Sequence, residues 1–215
     1  MAALREMIAE LDGLLDAAAF RDYCPNGLQV AGREQVELVV TGVSASVELF
    51  EQAAAAGAGL VLVHHGLFWD GDDPRVVGPL RERLGVLIGN DMSLAGYHLP
   101  LDAHPDFGNN ALIARGLEAE PREPFGLASG RAVGWIARFD GEGIARAKLV
   151  QRMARLTGRE PLAFLEGPER VRSVGIVSGG AGRILFEALD AGLDAFVTGE
   201  PEEWTRAIAR EAGRN

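Results

Sequence analysis

Two kinds of hydrophobic pattern alternate along the chain. Continuous apolar runs are typical of buried strands, and apolar residues that recur every three or four positions are typical of helices. The predicted strands are residues 36–43, 60–64, 85–89, 93–99, 132–139, 161–166, 171–177 and 193–198. The predicted helices are residues 3–19, 46–57, 108–116, 142–157, 182–191 and 202–212. Strands that are joined through helices by short connections predict parallel βαβ units, and therefore an α/β fold.

Two segments of the chain repeat the same order of elements. Residues 36–66 and 171–201 each run from a strand through a Ser-containing loop into a helix with Leu-Phe-Glu, and then past a glycine into a second strand. Any two βαβ units share this order, so a chance likeness is the alternative. The shared Leu-Phe-Glu and the matching lengths favour duplication of a domain. With a shift of one residue, the histidine pair that ends the first repeat aligns with Gly199–Glu200 in the second.

The stretch 118–131 is rich in proline, glycine and charged residues, which is typical of a connection between domains. We place a joint there and predict two α/β domains, residues 1–124 and residues 125–215. In sheets of this kind the functional crevice lies beyond the carboxyl ends of the strands. Two similar domains would each bring a strand end toward a common cleft.

The composition is typical of a soluble globular protein. The chain has 215 residues, of which 47% are hydrophobic, so it has ample material for a core. The net charge of −10 disfavours binding to nucleic acid, because an acidic surface repels phosphates. The N-terminal segment lacks the basic start of a signal peptide, and no uncharged apolar stretch is long enough to span a bilayer. We therefore expect a cytoplasmic protein with no membrane partner. Because Cys24 is the single cysteine, we also expect no internal disulfide, which fits a reducing cytosol.

The four histidines of the chain lie in two short stretches. VHHGLFW holds His64 and His65 at the end of a predicted strand, and YHLPLDAHPD holds His98 and His104. Successive strand residues point to opposite faces, so adjacent histidines cannot easily share one ion within a regular strand. At a strand end that is followed by Gly66 the backbone can turn, and both rings can reach one cleft, each toward a different ion.

Asp102 supplies a carboxylate at a second predicted strand end, and a carboxylate can bridge two cations. Imidazole with carboxylate suits zinc, iron, manganese or nickel better than calcium. The alternative is a set of partly buried, hydrogen-bonded histidines, which is the better interpretation for any isolated histidine. A His-His-Gly strand end with an aspartate at a second strand end favours metal binding, with His64, His65 and Asp102 as candidate ligands.

Several other residues are weaker candidates. His104 and Asp106 precede a predicted helix, and we interpret them as capping residues. SGGAG at 178–182 lacks a complete phosphate-binding motif, so a tight turn is the favoured interpretation. Glu200 is a candidate general base, a partner of a metal ligand, or a charge at a helix N-terminus. Cys24 is a weak candidate nucleophile.

Six motifs together carry a resemblance to a known family. They are DYCPNGLQV, VTGVSAS, VHHGLFW, YHLPLDAHPDFGNNALIA, VSGG and AFVTGE, and they extend over nearly the whole chain. The chain resembles the Nif-three-like family, also described as the dinuclear metal centre, hexameric protein family. Its members are often named as the type-two homologue of GTP cyclohydrolase one. The resemblance implies two similar three-layer α/β domains with a metal cleft between them, and a toroidal homohexamer with sites that face an internal cavity.

The resemblance also implies a set of metal ligands. By motif position, His64, His65 and Asp102 would bind two divalent ions of zinc, iron, manganese or nickel, while His98 would lie beside the ligands.

The expected set of metal ligands is incomplete in this sequence. Family members continue past their terminal helix into a strand and a Gly-His-x-x-(Ser/Thr)-Glu motif, which supplies two further ligands. Because no histidine follows His104, three of the usual five protein ligands are present here. We expect a fragment or a shortened gene product, with a natural variant that has a weakened site as the alternative.

The leading functional hypothesis is a metal-dependent hydrolase, as the GTP cyclohydrolase naming of the family implies. Two ions about 3.5–4 Å apart would lower the pKa of a water molecule and stabilise the attacked group. The substrate would be a small molecule, either a nucleotide or a related cyclic amide. The alternative is a non-enzymatic metal-binding or metal-handling hexameric ring that acts through partners, and a third hypothesis is an inactive remnant.

Overall fold

The chain folds into two compact units. The computed structural model describes residues 1–215, and the units are Met1–Leu101 and Asp102–Asn215. Each unit is mixed α/β, with helices that flank a four-stranded sheet. The predicted α/β fold class is confirmed.

Twelve strands and eight α-helices make up the two units. The strands are β1 (Ala2–Ala3), β2 (Gly27–Val30), β3 (Gln35–Val36), β4 (Val39–Ser44), β5 (Leu60–His65), β6 (Ser93–Gly96), β7 (Glu120–Ala128), β8 (Arg131–Arg138), β9 (Ile144–Ala145), β10 (Arg170–Val171), β11 (Ser173–Val177) and β12 (Ala195–Thr198). The helices are α1 (Leu4–Leu14), α2 (Val47–Ala56), α3 (Gly78–Gly89), α4 (Leu99–Ala103), α5 (Asn109–Gly116), α6 (Arg146–Thr157), α7 (Leu185–Asp190) and α8 (Thr205–Glu211). None of these helices is long and apolar enough to cross a membrane.

The sheet of the first unit has the order β2-β6-β5-β4. β4, β5 and β6 are parallel and are connected through α2 and α3, while β2 pairs antiparallel with β6. α2 begins where Ser46 Oγ accepts from the backbone N–H of Leu49, 3.2 Å away, and ends at Gly57 with a φ of +79°. These end signals place the helix as the sequence predicts.

Helices cover both faces of this sheet, because β5 alternates between two cores. Val61 and Val63 pack on one face with Phe50 of α2. Leu60 packs on the other face with Leu4 of α1. The first unit therefore has three layers, and β5 is fully held between them up to its last two residues.

The sheet of the second unit has the order β12-β11-β8-β7. β7 and β8 form an antiparallel pair, β8 is antiparallel to β11, and β11 is parallel to β12. Val174 and Ile176 of β11 share a core with Ala114 of α5 and Leu149 of α6. The two units thus share a parallel βαβ segment, β4-α2-β5 and β11-α7-β12, where the sequence repeat lies. The remaining strands pair differently in the two sheets.

Two predicted strands differ from the structure in the first unit. Residues 85–89 belong to helix α3, because Leu80, Leu84 and Leu87 recur at helical spacing and face one core. The short apolar run at this position does not by itself distinguish a helix from a strand. The strand predicted for 93–99 ends at Gly96.

The predicted joint at 118–131 also differs from the structure. Most of this stretch forms β7, and the boundary between the compact units falls after Leu101. Pro121 and Pro124 are accommodated because β7 is an edge strand, and its register shifts between Pro121 and Glu123. The strand predicted for 161–166 is irregular chain.

Candidate metal centre

The first unit brings three of the four histidines together. His64 and His65 are the last residues of β5, and their ring centroids lie 4.4 Å apart. The ring of His98 lies 5.1 Å from that of His64 and 5.7 Å from that of His65. One ligating atom from each residue lies within 4.8 Å of the others, so the three histidines form a candidate metal-binding group.

The hydrogen bonds of His64 and His98 determine which ring nitrogen carries the proton and which keeps its lone pair. His64 Nδ1 lies 2.9 Å from the backbone oxygen of Tyr97, and a carbonyl oxygen only accepts, so Nδ1 of His64 donates. His98 Nδ1 lies 2.8 Å from a carboxylate oxygen of Asp22 and donates for the same reason. The lone pair of each ring in its neutral form is therefore on Nε2. His65 Nδ1 is 3.0 Å from Ser44 Oγ, which faces it on β4.

Asp22 lies at the centre of a buried hydrogen-bond network. Its side chain is 1% exposed, and its carboxylate accepts from His98, Asn26 and the backbone N–H of Leu99. Burial alone would raise the pKa of Asp22, but these hydrogen bonds outweigh burial and hold the pKa below its ordinary value. Asp22 is therefore an anion at neutral pH. No local signal in the sequence marks Asp22 as the partner of a histidine, although its turn, DYCPNGLQV, is one of the six motifs.

The segment after β5 is joined to the turn at 22–26. Gln29 accepts from the backbone N–H of Leu67 at 2.8 Å and donates to the backbone oxygen of Pro25 at 2.8 Å. Gly66 leaves room for this amide, because a Cβ at position 66 would lie 2.2 Å from the side-chain nitrogen of Gln29 and displace it. The ring of Trp69 meets His98 edge-on, with centroids 5.1 Å apart. Trp69 thus forms an aromatic wall beside the histidines.

Cys24 lies near this network but is held as a thiol. It is buried, and burial together with the charges of Asp22 and Asp70 raises its pKa to about 12. Its ligating atom lies within 4.8 Å of those of Asp22 and His98. A thiol with this pKa is protonated at neutral pH, which argues against a catalytic nucleophile at Cys24.

Asp102 belongs to the second unit, on α4 rather than at a strand end. It is buried, and its Oδ1 accepts from Asn109 at 2.7 Å and from the Ser178 hydroxyl at 3.2 Å. Asn110 is fully buried and ties this part of the unit together: it donates to the oxygen of Val133 and accepts from the N–H of Ser178, both at 2.7 Å. Asp102 thus has a fixed orientation within its own unit.

The weaker candidates have structural roles in the second unit. His104 Nδ1 accepts from the backbone N–H of Asp106 at 3.1 Å, and its ring stacks on Phe107. His104 therefore closes the turn before α5 rather than capping that helix, which starts after Gly108. Gly179 O accepts from the N–H groups of Gly199 and Glu200, so the SGGAG segment is a turn tied to the end of β12. The side chain of Glu200 is at an exposed position.

Comparison with known families gives one consistent result. The family model for Duf34/NIF3 (NGG1p interacting factor 3) matches residues 2–215. A Pseudomonas aeruginosa protein named GTP cyclohydrolase 1 type 2 homolog is 44% identical over 211 residues, which cover 98% of this chain and 83% of that protein. An Archaeoglobus fulgidus protein of the same name is 41% identical over 213 residues, covering 99% and 84%.

Solved structures show the same similarity. Protein ybgI, described as of unknown function, has a TM-score of 0.92 and 39% identity, covering 99% of this chain and 84% of that one. TTHA1606 from Thermus thermophilus has a TM-score of 0.85 and 34% identity, covering 100% and 84%. Reduced HcgD from Methanocaldococcus jannaschii, at 17% identity, shares the fold with a TM-score of 0.85, covering 99% and 84%.

Proposed function

The chain belongs to the Duf34/NIF3 family, and on this premise we propose that it binds divalent metal ions and acts as a metal-dependent hydrolase. The observation that supports metal binding is the approach of His64, His65 and His98, whose ligating atoms lie within 4.8 Å of one another. Packing of aromatic rings does not by itself require their ring nitrogens to lie so close together. Because Nδ1 of His64 and of His98 is used in a hydrogen bond, Nε2 is the nitrogen that each ring would use to bind a metal ion.

The donor set fits a transition metal. Imidazole nitrogens suit zinc, iron and nickel, and adding the carboxylate of Asp102 would also suit manganese. We propose that His64, His65 and Asp102 bind two such ions. We add His98 to them as a proposed metal ligand, because one ligating atom from each of the three histidines lies within 4.8 Å of the other two.

The protein's own residues would orient the histidine rings and shield one side of the proposed metal site from water. Ser44 and the backbone oxygen of Tyr97 hold the rings of His65 and His64, and Trp69 shields one side of His98. Bound ions would supply Lewis-acid activation of water and of the group under attack. Glu200 is the proposed general base or the hydrogen-bond partner of a ligand, and the proposed substrate is a nucleotide or a related cyclic amide.

A second candidate function is a non-enzymatic metal-binding or metal-handling ring that acts through partners. One observation favours it: the acidic groups beside the histidines are poor bases. The carboxylate of Asp22 is buried and accepts several hydrogen bonds, and the thiol of Cys24 stays protonated. In either case we propose a cytoplasmic homohexamer. Light scattering tests that assembly, since six chains of 22.9 kDa differ clearly from one.

Metal loading of two aspartate variants tests the proposed ligands. After zinc loading and desalting, elemental analysis should find that Asp102→Ala holds much less zinc than the wild type. Asp106→Ala is the matched control, because its exposed carboxylate lies beside Arg115 and should not affect loading. Equal losses in the two variants would contradict the role of Asp102. His64→Ala should also lose zinc, whereas His104→Ala should retain it.

Turnover separates the two candidate functions. Protein loaded with zinc, iron, manganese or nickel would be assayed against nucleotides and cyclic amides. Product formation that is lost in His64→Ala but kept in His104→Ala would support the hydrolase. Retained high-affinity metal with no turnover of any compound would favour the ring that acts through partners.

A further inference from the structure

We infer that Asp22 is a positioning residue that makes His98 a metal donor through Nε2. The inference rests on the proposed metal binding and adds a residue that lies 76 positions from its partner along the chain. Asp22 would not touch the ion. It would act by fixing both the orientation of the His98 ring and the nitrogen that carries the proton.

Four donors converge on the Asp22 carboxylate. Oδ1 accepts from the backbone N–H of Tyr23 at 2.7 Å and from His98 Nδ1 at 2.8 Å. Oδ2 accepts from the Asn26 amide at 2.9 Å and from the backbone N–H of Leu99 at 2.9 Å. Because the side chain is 1% exposed, water cannot readily replace any of these donors.

The turn holds His98 by its backbone as well as by its ring. Asn26 Oδ1 accepts from the backbone N–H of His98 at 2.8 Å, while the same side chain donates to Asp22. Asp22 in turn accepts from the backbone N–H of Leu99. One turn therefore fixes both the ring of His98 and the peptide groups beside it. Packing of the ring alone would not need hydrogen bonds to all three groups.

An ionised carboxylate only accepts hydrogen bonds, and this decides the tautomer of His98. A proton on Nδ1 faces the anion of Asp22, and Nε2 keeps its lone pair. A carboxylate behind a ligating imidazole also raises the basicity of the ring toward a metal. Nδ1 of His64 has a neutral carbonyl in the same role, whereas Nδ1 of His98 faces a carboxylate.

Asp22→Asn is the sharpest test of this arrangement. An asparagine has one oxygen and one NH₂ group in place of the two carboxylate oxygens. The NH₂ group must therefore face either Tyr23 and His98 or Asn26 and Leu99, which are all hydrogen-bond donors in the wild type. If the NH₂ group faces His98, Nδ1 becomes the acceptor and the proton moves to Nε2, which removes the donor lone pair. We expect Asp22→Asn to bind zinc about 10- to 100-fold more weakly than the wild type, as measured by competition with a chromophoric chelator.

A double-mutant cycle separates positioning from general loss of structure. In the His98→Ala background, Asp22→Asn should cause no further loss of zinc affinity, because the residue through which Asp22 acts is gone. Asp12→Asn is the matched control: its carboxylate accepts from the Tyr97 hydroxyl at 2.7 Å and touches no histidine ring. We expect it to retain wild-type affinity. An equal loss in both backgrounds, or no loss in either, would overturn the inference.

A second readout does not depend on metal. Long-range proton–nitrogen NMR on chelator-treated protein reports the tautomer of each histidine. We expect His98 to carry its proton on Nδ1 in the wild type and to shift toward Nε2 in Asp22→Asn. An unchanged tautomer would overturn the inference even if affinity fell. Failure of the wild type to bind zinc would instead refute the proposed function and the inference with it.

Discussion

At the scale of single residues, the partner of each side chain determines what it does. His64, His65 and His98 have the same chemistry, but a carbonyl, a hydroxyl and a carboxylate stand behind their Nδ1 atoms. The sequence predicts the histidine pair because a strand end and a glycine are local signals. It could not predict the partner of His98, because Asp22 reaches it through a contact that only the fold creates.

Asn110 gives a residue-scale prediction for stability. Asn110→Ala would leave the carbonyl of Val133 and the N–H of Ser178 without their partner inside the protein. We expect the free energy of unfolding to fall by about 3 kcal/mol, since each buried group that loses its hydrogen bond contributes about 1–3 kcal/mol. Urea denaturation followed by tryptophan fluorescence measures it, because Trp135 lies on β8 of the same unit.

The control for this prediction is Asn90→Ala. Asn90 is exposed and donates only to the backbone oxygen of Val86 at the end of α3, so its loss should lower stability by less than about 1 kcal/mol. Similar losses in the two variants would show that the buried amide has no special role.

At the scale of elements, the sequence predicts a helix most accurately where local signals mark its ends. The helix 46–57 was predicted to within a residue because a serine and a glycine mark its ends. The run 85–89 is helical although it predicts a strand, because five apolar or small residues fit either period and the leucine at position 80 lies outside them. The stretch 118–131 has the proline, glycine and charged residues of a connection between domains, yet most of it forms an edge strand, where prolines are tolerated.

Helix α3 gives a prediction at this scale. Gly85 is an exposed glycine within the helix, and a Cβ there would meet no atom within 4 Å. Gly85→Ala should raise the free energy of unfolding by about 0.5–1 kcal/mol, because alanine loses less backbone freedom on folding. Urea denaturation of the two proteins measures the difference.

Gly134 on β8 is the contrasting position. There a Cβ would lie 2.2 Å from the backbone oxygen of Ile176 on the neighbouring strand, so Gly134→Ala should lower stability by about 1–3 kcal/mol. Stabilisation at Gly134, or a loss at Gly85, would contradict this description of the two elements.

At the scale of the whole molecule, two units with separate cores carry the proposed ligands. The three histidines belong to the first unit and Asp102 to the second. The sequence predicted two α/β domains from the repeat, but it placed the boundary by composition. The structure instead divides the chain after Leu101, within the short helix α4, whereas most of the proline-rich stretch 118–131 forms strand β7.

Hydrogen exchange tests whether both units take part in metal binding. Zinc at 100 times its dissociation constant stabilises the structure that holds it by about 2.7 kcal/mol, which slows exchange there. If His64, His65 and Asp102 all bind, amides of β4–β6 and those around Asn109 should slow together. Protection confined to β4–β6 would contradict the role of Asp102, and His64→Ala should lose the effect.

The hydrogen bonds of Gln29 to the turn at 22–26 and to the segment after β5 have a consequence for the rate of the proposed metal binding. Its side chain joins Pro25 and Leu67 with groups that belong to the protein itself, so the segments beside the histidines are ordered during folding. If the chain binds metal as proposed, an arriving ion would have no loop to organise. The rate of metal binding would then be set by how fast the ion loses its hydration shell, and nickel, which exchanges water slowly, would bind later than zinc at the same concentration.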